Sequence, residues 1–274
     1  MTTFSRTVTA TLLTIAAGCG VEPGADSFTS TSSAVVANNA LAANALAANA
    51  LAANALAANA LTDPSPTGDL NRQFFKYLIS CALAPDRSVS ISWTGADGSA
   101  RSETYAGMLG LAPGWADGPA TRTDRRWVTA CMAARTNAKG VTIQLSLRGQ
   151  HPALEVDDAE RSAFGYPEGS FYGDIFRSAS EGGPVVFSCR AARGAGTPAP
   201  APENQVGREC TNGAPGTCGI MEIKNIVCYD GSNPAHEDCR SAGGGTDAHG
   251  NSDYAYRCAN GAQDEVISTW LRTN

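Results

Sequence analysis

The cysteines are the residues whose number and spacing point most directly to chemistry in this sequence. The chain of 274 residues contains nine, and Cys19 stands alone, far ahead of the other eight. Eight cysteines in one region can form four disulfides, and a cysteine that directly follows an apolar leader is a typical site of lipid attachment. We therefore predict disulfide bonds for Cys81, Cys131, Cys189, Cys210, Cys218, Cys228, Cys239 and Cys258.

Neither a metal site nor a cofactor site is indicated by these residues. Structural zinc sites bring cysteine and histidine ligands together in closely spaced pairs, such as two cysteines separated by two residues. The sequence contains no such pair of cysteines, and His236 and His249 lack ligand spacing to Cys239. We predict no metal ligands and no cofactor.

Two short segments are similar to motifs of chymotrypsin-like serine proteases. Residues 127–131 are similar to the segment around the catalytic histidine, and residues 180–184 to the segment around the nucleophile. Yet no histidine precedes Cys131, and Glu181 occupies the position of the nucleophilic serine. Because the serine hydroxyl needs a neighbouring general base, we predict no catalytic residues of this type. The alternative is a hydrolase with an unrecognised site around Asp174, Glu181 and His151.

Aromatic side chains are a better indication of a binding surface. Trp and Tyr combine an apolar ring with a hydrogen-bonding group, so they occur both in cores and in binding sites. For most of these aromatic side chains, the sequence favours a position in the hydrophobic core over a role in ligand binding. The candidate ligand contacts, each in or beside a predicted loop, are Trp93, Tyr105, Trp115, Phe171 and Tyr172.

The charge distribution argues against two kinds of negatively charged partner. The formal net charge is −6, and the acidic residues are spread along the chain. Nucleic acids and anionic lipid surfaces attract proteins with clustered Lys and Arg. We therefore predict no nucleic-acid partner and no electrostatic docking on a membrane.

Residues 1–18 have the features of a secretory signal peptide. Arg6 and the terminal amine give a positive start, and residues 8–17 form a short apolar run. Residues 16–19 resemble a lipobox, at which a signal peptidase cleaves so that Cys19 receives a diacylglycerol. Residues 19–38 are rich in Ser, Thr and small residues and are predicted to be a flexible tether. Gly20, directly after the cysteine, favours the outer membrane.

Residues 39–63 consist of five copies of a five-residue unit, which is NALAA four times and then NALTD. Ala and Leu favour a helix. However, five residues turn an α-helix through about 500°, so the Leu side chains form no single apolar stripe. The alternatives are a disordered spacer and one turn of a pentapeptide β-solenoid. Under each interpretation the repeat is a spacer that contributes little to folding.

Residues 67–190 are predicted to form an α+β domain. Apolar residues at helical spacing predict a helix over 70–81, capped by Asp69, and a capping box at Thr121 predicts a second helix. Alternating residues predict strands over 89–93 and 141–147, and residues 96–99 predict a hairpin turn between the first of these and a return strand. There follow a short helix capped by Asp157, an aromatic loop over 168–176 and a strand over 184–189.

The remaining prediction concerns the disulfides and the C-terminal part. Cys81 and Cys131 lie on the apolar faces of the two predicted helices, so we predict a bond between them. Residues 191–207 contain three prolines and are predicted to be a surface loop. Residues 208–274 are predicted to be a cysteine-rich β region with a last hairpin turn at Asn260. The fold class is α+β: two N-terminal helices with antiparallel strands, then a disulfide-stapled, loop-rich C-terminal region.

These features together resemble a group of uncharacterised predicted lipoproteins from myxobacteria. The likeness rests on the tandem repeat after the lipobox, on Cys81 and Cys131, and on residues 107–115 and 168–176. Members of that group carry N-x-L-x-x repeats ahead of a cysteine-containing domain. The resemblance covers most of residues 1–190 and implies an exported protein; it implies no activity.

The function that we predict from the sequence is that of an exported, lipid-anchored protein. Its location is the outer membrane or cell surface, or the periplasm, and its contact with the membrane is the lipid on Cys19. The domain is predicted to be a non-catalytic binding or structural domain whose partner is a protein or a glycan. A secreted hydrolase is the alternative.

Overall fold

The computed structural model describes residues 58–137, 143–190 and 265–273, together with the backbone of a few isolated short strands. Within these ranges, helices pack on antiparallel strands, which confirms the predicted α+β class. The helices are α1 (Ala58–Thr62), α2 (Pro66–Ala82), α3 (Arg122–Ala134) and α4 (Asp158–Ala163). None of the helices in this part of the chain is long and apolar enough to cross a membrane.

The strands form one larger sheet and several strand pairs. Their bounds are β1 (Val36–Asn38), β2 (Leu41–Ala42), β3 (Ser88–Thr94), β4 (Ala100–Ala106), β5 (Thr136–Asn137), β6 (Gln144–Arg148), β7 (Tyr166–Asp174), β8 (Val185–Arg190), β9 (Cys239–Ser241), β10 (Tyr256–Cys258) and β11 (Ile267–Leu271). The five-stranded sheet has the order β1-β6-β11-β7-β8, and each neighbouring pair is antiparallel. β3 pairs with β4, β9 with β10, and β2 with β5, the last pair being parallel.

Local sequence signals account for α2, α3 and the β3–β4 hairpin. The predicted helix over 70–81 lies within α2, but that helix begins earlier, with Pro66 in its first turn and Ser65 at its N-cap. Asp69 therefore lies inside the first turn, where it pairs with Arg72, and its prediction as the cap is wrong. The capping box is confirmed: the Thr121 hydroxyl accepts a hydrogen bond from Asp124 N at 3.1 Å.

Two predictions about the larger sheet are wrong. Residues 168–176, predicted to be an aromatic loop, lie mostly in β7, which is buried between β11 and β8. A strand buried on both faces shows no alternation of polar and apolar residues, and Gly169 and Gly173 further obscure the pattern. β11 lies between β6 and β7, so it is not the return strand of a last hairpin. Asn260 lies outside the described residues.

The main hydrophobic core lies between the larger sheet and the helix pair α2–α3. Leu145, Leu147, Ile267 and Leu271 of the sheet are fully buried in the same cluster as Phe74 and Val128 of the helices. Cys81 and Cys131 join the two helices by the predicted disulfide, with their Cα atoms 6.0 Å apart and both residues buried. The hairpin extends this core, since the ring of Tyr105 packs edge-on against Phe75 at 5.2 Å.

The last repeat unit belongs to this packed structure, which corrects its interpretation as a spacer. Leu61 of α1 is only 4% exposed and lies in the main core. Arg72 of α2 donates from Nη1 to the carbonyls of Leu61 and Asp63, each at 2.8 Å. A domain boundary at residue 67 would therefore remove part of the core. Parts of the predicted tether and repeat are also strands, since β1 joins the larger sheet and β2 pairs with β5; residues 43–57 lie outside the described ranges.

We predict that Leu61→Ala lowers the free energy of unfolding by about 2–5 kcal/mol, the usual result of truncating a buried leucine. Alanine keeps the helix propensity of α1, so the loss reports packing. Leu46→Ala, at the same position of an earlier unit, is the control, because the sequence alone predicts a spacer there. Equilibrium unfolding in guanidinium chloride measures both. Equal, small effects of the two substitutions would contradict the packing of the last unit.

Candidate functional site

The clearest cluster of charged groups lies where the first turns of α3 meet the end of β7. The capping box fixes the start of α3 and so directs Arg125 toward two carboxylates. Arg125 Nη2 lies 3.2 Å from Asp174 Oδ2 and 3.1 Å from Glu181 Oε1. The Arg125 guanidinium thus bridges Asp174 and Glu181, the two carboxylates of the alternative hydrolase site.

The two carboxylates differ strongly in their surroundings. Glu181 is exposed and accepts hydrogen bonds from the backbone N and the hydroxyl of Ser178, at 2.8 and 2.9 Å. These bonds, with a further contribution from Arg125, lower the pKa of Glu181 to about 2. Asp174 is almost fully buried, and this burial raises its pKa although Phe176 N and Arg125 oppose the shift.

His151, the third residue of the hydrolase alternative, does not join this cluster. Its Nδ1 accepts a hydrogen bond from Ala153 N at 3.1 Å, and its ring packs on Trp127 at 5.2 Å between centroids. Burial lowers its pKa, which favours the neutral imidazole. Among the described residues, no ion pair or hydrogen bond connects His151 with Asp174 or Glu181. The arrangement therefore provides a bridging cation for two acids, without a nucleophile and base in contact.

The segments that are similar to protease motifs have structural roles. Residues 127–131 lie inside α3, where Cys131 forms the disulfide. Residues 179–181 form a 3-10 helix, and Gly182 and Gly183 follow with positive φ angles of 94° and 74°. This turn places Glu181 beside Arg125, and the ion pair between them connects the segment after β7 with α3.

The aromatic candidates divide into two groups. Tyr105, Phe171 and Tyr172 are 1–2% exposed, so they belong to the interior and not to a binding surface. Trp93 and Trp115 are partly exposed, and each already has a partner. The Arg72 guanidinium lies 4.2 Å from the Trp93 ring, and Trp115 packs edge-on against Phe176 at 5.1 Å. These two tryptophans remain the aromatic candidates for ligand contact.

The cysteines beyond the Cys81–Cys131 bond stay predictions. Cys189, Cys239 and Cys258 lie on strands β8, β9 and β10, of which the backbone is described. The others, Cys19, Cys210, Cys218 and Cys228, lie outside the described residues. Within the described ranges, no group of His, Cys, Asp and Glu is arranged to hold a metal ion.

A surface that the sequence analysis did not single out is the outward face of the hairpin. It presents six exposed hydroxyl side chains and no charged group, and we call it the hydroxyl face: Ser88, Ser90, Ser92, Thr94, Ser102 and Thr104. Two pairs bond across the strands, Ser90 with Thr104 at 2.7 Å and Ser92 with Ser102 at 3.2 Å. The signal was present in the sequence, since Ser occupies the polar positions of the alternating strand over 89–93.

Comparison with known proteins adds no family and no relative. No family model, curated protein or solved structure matches this chain significantly.

The cluster around Arg125 leads to a prediction about pH. Because the folded state lowers the pKa of Glu181 from 4.5 to about 2, its stabilising contribution is complete above the unfolded value and is lost as the pH falls toward 2. We expect Glu181→Gln to lower the melting temperature at about pH 7, and the difference from the unsubstituted protein to vanish near about pH 2.

The matched control is Glu155→Gln, which removes the same charge from an exposed side chain. Melting temperatures of the three proteins, measured by circular dichroism across the acidic range, test the prediction. A difference for Glu181→Gln that is independent of pH would contradict it, as would an equal response of Glu155→Gln.

Proposed function

We propose that this chain is an exported, lipid-anchored protein whose α+β domain is a non-catalytic binding domain. The observation that carries the proposal is the buried disulfide between Cys81 and Cys131. Disulfides form and persist in oxidising compartments, which supports export from the cytoplasm. The six further cysteines of the domain would pair among themselves and staple its C-terminal region.

The lipid anchor follows from the count of cysteines. Of nine cysteines, two form the described bond and six more follow it, so Cys19 is the odd one. Its position after the apolar leader supports lipid attachment at the outer membrane or cell surface. The repeat then lies between the anchor and the domain, and its last unit packs on that domain.

A binding role is favoured by the hydroxyl face. Its six hydroxyls are exposed, carry no charge and stand in a regular array, because residues on one face of a strand repeat every two positions. Such a surface can exchange hydrogen bonds with a neutral, hydroxyl-rich partner. We therefore propose a glycan as the partner of this face.

A panel of soluble glycans, peptides and esters tests the binding role. We expect a glycan to bind without turnover, and Ser90→Ala combined with Thr104→Ala to weaken that binding. Val186→Ala, in a buried strand of the larger sheet, serves as the control for a general loss of stability. Turnover of a panel member that Asp174→Asn abolishes would contradict the proposal and favour the secreted hydrolase.

The anchor leads to a separate prediction. In cells that process lipoproteins, we expect the chain to partition into the detergent phase and to incorporate a labelled fatty acid. Cys19→Ser should abolish both, because the thiol that accepts the lipid is gone. A Cys19→Ser protein that still partitions and labels would show that the lipid attachment at this residue is wrong.

A further inference from the structure

Strand β3 of the β3–β4 hairpin has one edge without a strand partner among the described residues. β3 pairs with β4 on one side, and no other described strand bonds to it. Gly107 N donates to Arg87 O and Gly95 N to Ser99 O, each at 2.8 Å, so the odd-numbered residues of β3 exchange backbone bonds with β4. Antiparallel pairs alternate between bonded and non-bonded positions. The backbone groups of Ser88, Ser90, Ser92 and Thr94 therefore point away from β4.

This edge lacks the features that usually prevent association of exposed strands. Natural edge strands carry a charged residue, a proline or a bulge, or they are very short. β3 has the sequence SVSISWT, and its register with β4 is regular over all seven residues. β4, in contrast, carries Arg101 and Glu103. Of the two edges of the hairpin, only that of β3 is uncharged.

The inward-facing side chains of β3 are incompletely covered. Val89, Ile91 and Trp93 are each partly exposed, although β3 contacts α1 and the Arg72 guanidinium of α2 lies over the Trp93 ring. These three apolar side chains occupy alternate positions of β3 beside its unpaired edge. An added strand would cover the apolar surface that they leave exposed. A partner must therefore supply both backbone hydrogen bonds and apolar side chains at alternate positions.

We propose that this partner is a second copy of the chain, with the two β3 strands antiparallel about a two-fold axis at Ile91. In that register, Ser90 lies opposite Ser92 of the second copy, and the outward backbone groups of both strands are satisfied. Ile91 lies opposite Ile91 of the second copy, and Val89 lies opposite Trp93 of the second copy. Aromatic and β-branched side chains form favourable cross-strand pairs.

The sequence of β3 favours its own copy over a different strand. A two-fold pair needs the same surface on both sides to be self-complementary. The strand is symmetric in this sense, since its hydroxyl and apolar positions alternate equally about Ile91 and no like charges meet. The resulting four-stranded sheet would also join two hydroxyl faces into one.

Two lysine substitutions test the proposal with matched controls. Ser92 and Ser102 are exposed and share one hydroxyl–hydroxyl contact at 3.2 Å. Ser92→Lys and Ser102→Lys therefore lose the same contact and add the same charge, on opposite edges of the hairpin. Equal melting temperatures of the two variants, measured at a protein concentration low enough to keep both monomeric, would show that both retain the fold equally.

The measurement is sedimentation velocity over a concentration series, on the full exported chain carrying Cys19→Ser. We expect a monomer–dimer equilibrium whose dissociation constant rises about tenfold or more in Ser92→Lys, where the two lysines lie diagonally across the axis on one face of the joined sheet, and changes by less than about threefold in Ser102→Lys. Amide hydrogen exchange should show protection of Ser90 and Ser92 that increases with protein concentration. A monomer at every concentration, or equal weakening by both variants, would overturn the proposal.

Discussion

The disulfide between Cys81 and Cys131 connects the two parts of the described domain. Cys81 lies near the end of α2, which packs under the hairpin, and Cys131 lies in α3, which packs on the larger sheet. The bond closes a loop with a sequence separation of 50, and that loop contains the whole β3–β4 hairpin. A cross-link over a loop of this length removes many conformations from the unfolded chain, which is one account of its stabilising effect. Because both residues are buried, the bond is also protected from reductants in the native state.

Arginine side chains of α2, α3 and β6 connect these elements with more peripheral segments. Arg72 binds the carbonyls of the last repeat unit and stacks on Trp93, and Arg125 holds the end of β7 through Asp174 and Glu181. Arg148 donates to Phe164 O at 2.8 Å and lies 4.3 Å from the Trp270 ring. A planar guanidinium can make several directed bonds and still stack on a ring, so a single residue connects several segments. The carboxylates that could serve catalysis are thus engaged in structural contacts, whereas the hydroxyl face remains exposed.

The parts of the fold that the sequence predicted are those with local signals. The capping box at Thr121, the helical spacing in α2 and the alternating strand before Gly98 each depend on residues close in sequence. β7 was missed because it is buried on both faces and contains Gly173 with a φ of 139°. The packing of Leu61 was missed because its partners lie in other elements. For the candidate site, Asp174 and Glu181 were named together from the sequence, but the bridge through Arg125 spans 56 residues to Glu181 and has no local pattern.

The central claim is that the disulfide between α2 and α3 holds the two parts of the described domain together. Equilibrium unfolding of the oxidised protein and of the variant with both Cys81→Ala and Cys131→Ala tests this claim most directly. We predict that the variant loses about 2–5 kcal/mol of unfolding free energy, the usual effect of removing a native disulfide from a small domain. An unchanged unfolding free energy would contradict the account, because the helix pair would then be held by packing alone.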